Sequence, residues 1–125
     1  MAYSLDKEGE LRLKLGENLV RVLYRRPDPA ELIETLVQKM PRGDEAEDAL
    51  RILMANLELG RDCITGVGEG DLMIDGNPLG ANSNGAEGPD WKERIAEACP
   101  LVLIALGQHL SAVPAVMGET GLKKS

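Results

Sequence analysis

Residues 5–25 read LDKEGELRLKLGENLVRVLYR, and the fold of the whole chain depends on how this stretch is interpreted. From Leu11 to Leu15 apolar and charged residues alternate, which is typical of a strand with one buried face. Gly16, Glu17 and Asn18 are then suited to a turn between two strands. A β-hairpin is therefore one interpretation of these residues.

The other interpretation is an amphipathic helix. On a helical wheel the same stretch has a charged face and an opposite apolar face, composed of Leu11, Leu15, Leu19, Val22 and Leu23. Glu10 and Lys14 stand four residues apart in the order that favours a helix, although Gly16 would lie in its middle. We predict the helix, because it explains both faces.

Two further helices are predicted after this stretch. Asp28, Pro29 and Glu31 have the spacing of an N-cap, a first-turn proline and a capping box. The apolar stripe that follows is expected to face the core, and it consists of Leu32, Ile33, Leu36, Val37 and Met40. The next helix is expected to begin at Asp44 and to end near Gly60, with an apolar side broad enough to contact two neighbours.

The remaining chain combines a glycine-rich stretch with more helix. Residues 61–89 are expected to form a loop or a small hairpin outside the core. Helical patterns resume at Asp90, and Leu101 to Leu106 are apolar on every side, which predicts a central buried helix. We therefore predict one domain over 1–125, an all-α compact bundle of four or five helices, with a loosely held tail at 114–125.

Composition excludes several classes of function. The chain has 125 residues, a formal net charge of -7 and 2% aromatic residues, so it lacks the basic stripe and stacking side chains that nucleic-acid binding requires. Its longest apolar stretch, 98–106, is too short to span a membrane. The chain begins without the pattern of a secretory signal, so we expect a cytoplasmic protein whose two cysteines are free thiols.

The glycine-rich stretch also suggests a ligand site. Gly66, Gly68 and Gly70 would let backbone N–H groups approach an anion, and Asp71 and Asp75 would supply carboxylates to a cation. The lysine of a phosphate-binding loop and the spacing of a calcium loop are both missing. A turn with solvated carboxylates is the better interpretation, and binding of a small nucleotide-like or cationic ligand over 61–89 stays as the alternative. A weak divalent-ion site that includes Glu69 also stays open.

Catalysis has little support in the sequence. Cys63, Cys99 and His109 are the residues from which a thiolate–imidazole pair would be built, with Asp71 and Asp75 as further candidates if the protein is an enzyme. No nucleophile, base and acid converge in the sequence, and the chain cannot supply four nitrogen or sulfur ligands for zinc. We therefore expect no catalytic residues, no metal site and no cofactor.

Protein–protein interaction is the function that remains. Arg21, Arg25 and Arg26 form a cationic cluster suited to an acidic partner surface or to a solvated helix end. The apolar faces of the first and third predicted helices are broad, which predicts either surface left over for an oligomer partner or deep burial of the first helix within the monomer. We predict an acidic interaction module, an adaptor, inhibitor or small subunit, that binds a protein partner or itself.

Overall fold

The computed structural model describes residues 8–68, 71–74, 77–78 and 91–112. The described residues form a mixed α/β fold in which a three-stranded antiparallel sheet, in the order β1-β2-β3, packs with four helices. The elements along the chain are β1 (Glu8–Leu15), β2 (Asn18–Arg25), α1 (Pro29–Gln38), α2 (Glu45–Cys63), β3 (Ile64–Val67), β4 (Met73–Ile74), β5 (Asn77–Pro78), α3 (Trp91–Ala98) and α4 (Pro100–Leu110).

The prediction of an all-α bundle is wrong, because residues 8–25 form a β-hairpin. Leu15 pairs with Asn18 across a two-residue turn in which Gly16 has a φ of 66°, as tight hairpin turns require. Along β1 the charged side chains are exposed, whereas Leu11, Leu13 and Leu15 pack against the core. Charge pairs four residues apart stabilise a helix by only about 0.2–0.5 kcal/mol each, less than burial of this leucine face contributes.

The start of the glycine-rich stretch also differs from the prediction. α2 continues through Gly60 to Cys63, and Ile64 and Val67 are buried in β3 against β2. Residues 61–67 therefore belong to the helix and the sheet instead of an excluded loop. β4 pairs with β5 and not with β3. The rest of 61–89, apart from 68, 71–74 and 77–78, and all of the predicted tail at 114–125 lie outside the described residues.

The core lies where the sheet meets α3 and α4. Its buried side chains are Val20, Val22, Ile64, Val67, Leu72, Trp91, Ile95, Val102, Leu103 and Leu106. The prediction of a helix over Leu101 to Leu106 is confirmed, but only part of it is buried: Val102, Leu103 and Leu106 are fully buried, whereas Leu101 is 58% exposed. Half-buried Leu57 connects α2 to this core.

α2 and α4 cross at two glycines. A β-carbon placed on Gly60 would lie 2.0 Å from the Leu103 carbonyl oxygen, and one placed on Gly107 would lie 1.9 Å from the Asn56 carbonyl oxygen. Each glycine therefore admits the backbone of the opposite helix where any side chain would collide with it. This crossing fixes α2 on the body of the protein.

Candidate interaction surface

α1 turns most of its apolar stripe outward. Ile33, Leu36 and Val37 on α1, and Met40 just after its end, have the i, i+3, i+4, i+7 spacing of one helical face, and they are 60%, 36%, 48% and 59% exposed. The sequence predicted this stripe as a core face. The helix is held instead by its other side, where Thr35 is buried.

α2 carries a second exposed stripe. Leu50, Leu53 and Met54 are 63%, 48% and 46% exposed, and Leu57 completes the same i, i+3, i+4, i+7 spacing where the stripe reaches the core. The buried side of this helix includes Asn56, Leu59 and Gly60. α2 thus has one side in the protein interior and one apolar side in solvent.

A groove of about 210 Å³ separates the two helices. Its lining includes buried Thr35, Ala55 and Leu59, and the full set is Glu31, Glu34, Thr35, Gln38, Arg51, Met54, Ala55, Glu58, Leu59 and Asp62. On α1 the groove-lining residues lie about 160° around the helix from the centre of the apolar stripe, so this stripe faces away from the groove. On α2, Met54 belongs both to the stripe and to the groove lining. We call the exposed apolar residues of the two helices and their connection the hairpin face, and they are Ile33, Leu36, Val37, Met40, Leu50, Leu53 and Met54.

The carboxylate of Glu31 at the start of the groove is neutralised from within the protein. Arg25 donates two hydrogen bonds to it, at 2.9 and 2.8 Å, and the Asp28 backbone N–H donates a third at 2.8 Å. These contacts, the Arg25 bonds first, lower the pKa of Glu31 from 4.5 to about 2. Arg25 also donates to the Asp62 carbonyl oxygen, so the ion pair ties α1 to the end of α2.

At the other end of α1, Arg51 holds the connection between the two helices. Its guanidinium donates to the Gln38 and Met40 carbonyl oxygens, at 2.8 and 2.7 Å, and to the Asp48 carboxylate at 2.7 Å. The pKa of Asp48 is lowered first by hydrogen bonds from the Arg42 backbone N–H and then by Arg51. The two helices are therefore fastened at both ends of the groove.

The remaining groove carboxylates have no such partner within the described part of the chain. Glu34, Glu58 and Asp62 are exposed, and none of them forms an ion pair with a described residue. Since Arg51 is committed to Asp48 and to backbone carbonyls, it does not offset their charge. The groove between α1 and α2 is therefore negatively charged.

Two residues that the sequence assigned to separate sites contact each other. Arg21, predicted to bind a partner, donates from Nε and Nη2 to the carboxylate of Asp71, predicted to bind a ligand, at 2.7 and 3.1 Å. This pair raises the pKa of Arg21 and lowers that of Asp71, in both cases chiefly through the side-chain hydrogen bond. A β-carbon on Gly68 would collide with both groups, so the glycine is needed for this contact.

The other predicted ligand and partner residues are dispersed. Gly66 lies in β3 opposite Leu23, and the Gly68 N–H donates to the Arg21 carbonyl oxygen at 2.8 Å. Arg26 is exposed, and Gly70, Asp75 and Glu69 lie outside the described residues. Ligand binding by this set and partner binding by the arginines stay predictions, although Arg21 and Arg25 already form ion pairs within the protein.

The thiols and the histidine are not gathered into one centre. Cys63 is buried, and burial raises the pKa of its thiol to about 11, so it is protonated at neutral pH. Cys99 precedes α4 and His109 stands near its end, about 15 Å further along the helix axis. His109 lies beside Tyr24 instead, with Nε2 3.4 Å from the phenol oxygen. No group of three or more His, Cys, Asp or Glu suited to a metal ion occurs within the described ranges.

Comparison of the chain with protein-family models, with curated proteins and with solved structures found no match. None of the helices in the described ranges is both long enough and apolar enough to cross a membrane.

The sequence pattern predicted both apolar stripes but assigned the α1 stripe to the core. The groove and its two arginine fastenings depend on contacts between separate segments, so no local pattern indicates them.

Proposed function

We propose that the chain is a protein-interaction module that binds its partner through the hairpin face. The observation that supports this is the exposure of seven large apolar side chains, six of them on the two fastened helices and the seventh, Met40, just after the end of α1. Single exposed apolar residues are ordinary, whereas a group arranged along one face marks a contact surface.

The extent of the hairpin face is appropriate for a specific complex. Seven side chains exposed by 36–63% present an apolar area on the order of several hundred Å², comparable with the ~800 Å² that each partner contributes to a standard interface. At about 25 cal/mol per Å² its burial supplies a substantial driving force for association.

The hairpin face is also organised before a partner arrives. α2 is fixed by the two glycine contacts with α4, and α1 is fixed by Arg25 and Arg51. Lys39 Nζ adds a hydrogen bond to the Ser111 hydroxyl at 2.8 Å, next to the end of α4. Because little chain has to become ordered on binding, more of the burial free energy is available for affinity.

A pair of glutamate substitutions on the hairpin face tests the proposal. Ile33→Glu combined with Leu50→Glu places charges at positions that are 60% and 63% exposed, so the variant should keep the native circular dichroism spectrum and urea midpoint. Leu101→Glu, at a 58% exposed position on α4, is the matched control.

The measurement is association of tagged protein, by sedimentation of the pure chain and by capture from an extract of the source cells. We expect wild type and Leu101→Glu to form the same complex, and the hairpin-face variant not to form it. Equal association by all three proteins would contradict the proposal, as would loss with the Leu101→Glu control alone.

A further inference from the structure

We infer that two copies of this chain pair through the outer edge of β1, so that their three-stranded sheets join into one antiparallel sheet about a two-fold axis. This surface is separate from the hairpin face, and the inference does not depend on the proposed function. Charge complementarity along β1 identifies the occupant of the edge as a second copy.

β1 is the outermost strand of its sheet, and within the described residues only β2 pairs with it. The strand is eight residues long, and its pairs with β2 follow one another without a shift of register. Proteins commonly protect an edge with a short strand, a bulge or a proline, and β1 has none of these. Charged side chains are the other common protection, so their arrangement on β1 decides whether the edge repels or receives a further strand.

The hairpin turn determines which residues offer backbone groups at this edge. Leu15 and Asn18 close the two-residue turn as a hydrogen-bonded pair, and such pairs alternate with non-hydrogen-bonded ones along an antiparallel ladder. Every second residue therefore directs its N–H and C=O away from β2, and these residues are Glu8, Glu10, Arg12 and Lys14. The same four residues carry the exposed side chains of β1. A strand added here forms its hydrogen bonds at the charged positions.

The charges of β1 match those of a second copy in one register. When two β1 strands run antiparallel about an axis at Leu11, Glu10 faces Arg12 of the second copy and Glu8 faces its Lys14. The axis repeats both pairs, so acidic and basic side chains alternate across the whole contact. An axis at Glu10 or at Arg12 would instead set like charges opposite each other. A slip of one residue would set charged side chains against leucines and is excluded.

Arg12 shows what a second copy adds. On the β2 side it faces Arg21, and like charges directly opposite each other in a sheet are destabilising. Its ion pair is with Glu10 of the same strand, at 2.8 Å, and the two side chains are 69% and 36% exposed. Glu10 of a second copy would stand on the other side of Arg12, where the described residues place no strand.

The apolar side of β1 favours the same register. Leu11, Leu13 and Leu15 pack against the core, but each of them remains partly exposed. An axis at Leu11 brings the two Leu11 side chains together and places Leu13 opposite Gly9 of the second copy, which joins the apolar layers of the two sheets. Although the chain carries a net charge of -7, β1 has two acidic and two basic residues, so the contact itself is neutral.

Reversal of single charges tests the pairing in the full chain. Arg12→Glu and Glu10→Arg each set like charges opposite one another twice in the dimer, so each should weaken dimerisation by roughly tenfold or more in sedimentation equilibrium. The two substitutions combined restore both pairs and should dimerise like wild type. The two single variants, mixed, should associate with each other. Glu97→Arg makes the same charge change as Glu10→Arg at an exposed position on α3 and is the control.

A disulfide cross-link tests the register independently of charge. Leu11→Cys brings two thiols to the axis, where the α-carbons of a non-hydrogen-bonded pair lie about 4.5 Å apart, within the range of a disulfide. Mild oxidation should therefore give a covalent dimer. Leu13→Cys is the matched control, because its two thiols would lie roughly 13 Å apart along the strands. Wild type under the same oxidation controls for Cys63 and Cys99.

Three results would overturn the inference. They are a wild-type chain that stays monomeric at about 1 mM, where even a weak interface associates, single charge variants that dimerise as well as Glu97→Arg, and equal cross-linking at positions 11 and 13. Circular dichroism of each variant confirms that it is folded, and the cross-link remains a test if a charge variant is not.

Failure of the inference and failure of the proposed function give different results. The hairpin face takes no part in the pairing of β1, so Ile33→Glu with Leu50→Glu should leave this dimer intact and remove only the complex formed on that face. A dimer that dissociates on those two substitutions and survives Arg12→Glu would overturn the inference while supporting the proposed function. A dimer that responds only to the β1 variants, in a chain that forms no other complex, would support the inference alone.

Discussion

The two sides of α2 differ in almost every physical respect. On one side Gly60 lies so close to the Leu103 carbonyl that no side chain fits, and Leu59 is 3% exposed. On the other side Leu50 is 63% exposed, with Leu53 and Met54 beside it. Similar aliphatic residues on one helix therefore stabilise the fold where a neighbour covers them, and remain available for association where none of the described residues covers them.

The largest expected effect is at the closed side. Gly107→Ala places a methyl group 1.9 Å from the Asn56 carbonyl oxygen, so the two helices must separate, and we expect a loss of about 3 kcal/mol in the free energy of unfolding. Helix propensity alone predicts the opposite sign, a gain of about 1 kcal/mol. Urea denaturation measures the difference, with Gln108→Ala on the exposed side of α4 as the control. Unchanged or increased stability would show that α2 and α4 are further apart.

A matched pair of substitutions on α2 comes next. Leu59→Ala should lower the free energy of unfolding by about 2–3 kcal/mol, because it leaves a cavity at a buried position. Leu50→Ala should change it by less than about 0.5 kcal/mol, because its side chain is already in solvent. Thermal unfolding of both variants provides the test. Similar losses would mean that Leu50 is buried, and the contrast between the two sides would disappear.

The third prediction concerns the fastening of α1 and depends on pH. The pKa of Glu31 is about 2 in the folded protein and about 4.5 in the unfolded chain. Its ion pair with Arg25 therefore stabilises the fold above pH 4.5, and this stabilisation is lost as the pH falls from about 4.5 to 2. At neutral pH Glu31→Gln should lower the free energy of unfolding by about 1–2 kcal/mol, a value reduced by partial exposure of the pair. The two proteins should converge below pH 2. A constant difference from pH 7 to 2 would contradict the role of the ion pair.

The smallest effect is expected at the exposed pair of Arg21 and Asp71. Arg21→Gln removes the two guanidinium bonds but keeps the backbone N–H that also donates to Asp71, at 3.0 Å. We expect only a slight decrease in Tm, together with faster hydrogen exchange at the Asp71 N–H, which donates to the Gly68 carbonyl. Arg12→Gln, which removes an exposed pair within β1, is the control. Unaltered exchange at Asp71 would mean that the pair does not order this segment.

Local patterns predicted those elements whose cause is local. The capping box at Asp28 and Glu31 and the acidic start of α2 at Asp44 were predicted correctly, because their hydrogen bonds join residues three positions apart. Residues 8–25 show both the period of two that is typical of a strand and the separation of charged from apolar residues that is typical of an amphipathic helix. The pattern alone favoured the helix, which is wrong. The deciding factor is β3, which completes the sheet on β2 and comes from 64–67, about 40 positions later.

The candidate surface was predicted only in part. Sequence composition indicated more apolar surface than the fold can cover, and the structure supplies it on α1 and α2 instead of on the first 25 residues. Gly66 and Gly68 suggested a site where backbone N–H groups bind an anion. The sequence does not reveal that the Gly68 N–H already donates to a carbonyl oxygen of the sheet. Arg51 could not be recognised as a fastening, because its acceptors are backbone carbonyls at the end of another helix.

The sequence by itself determined the charge of the chain, the beginnings of α1 and α2, and the apolar spacing along them, since each of these depends on residues within one or two turns. Only the tertiary structure decided which apolar stripe is covered, because α2 packs on α4 through glycines 47 positions apart and has no room there for the outer leucines. Burial is a property of neighbours brought together by the fold, and for that reason the surface proposed for binding could be identified only after the strands, the crossing and the groove were known.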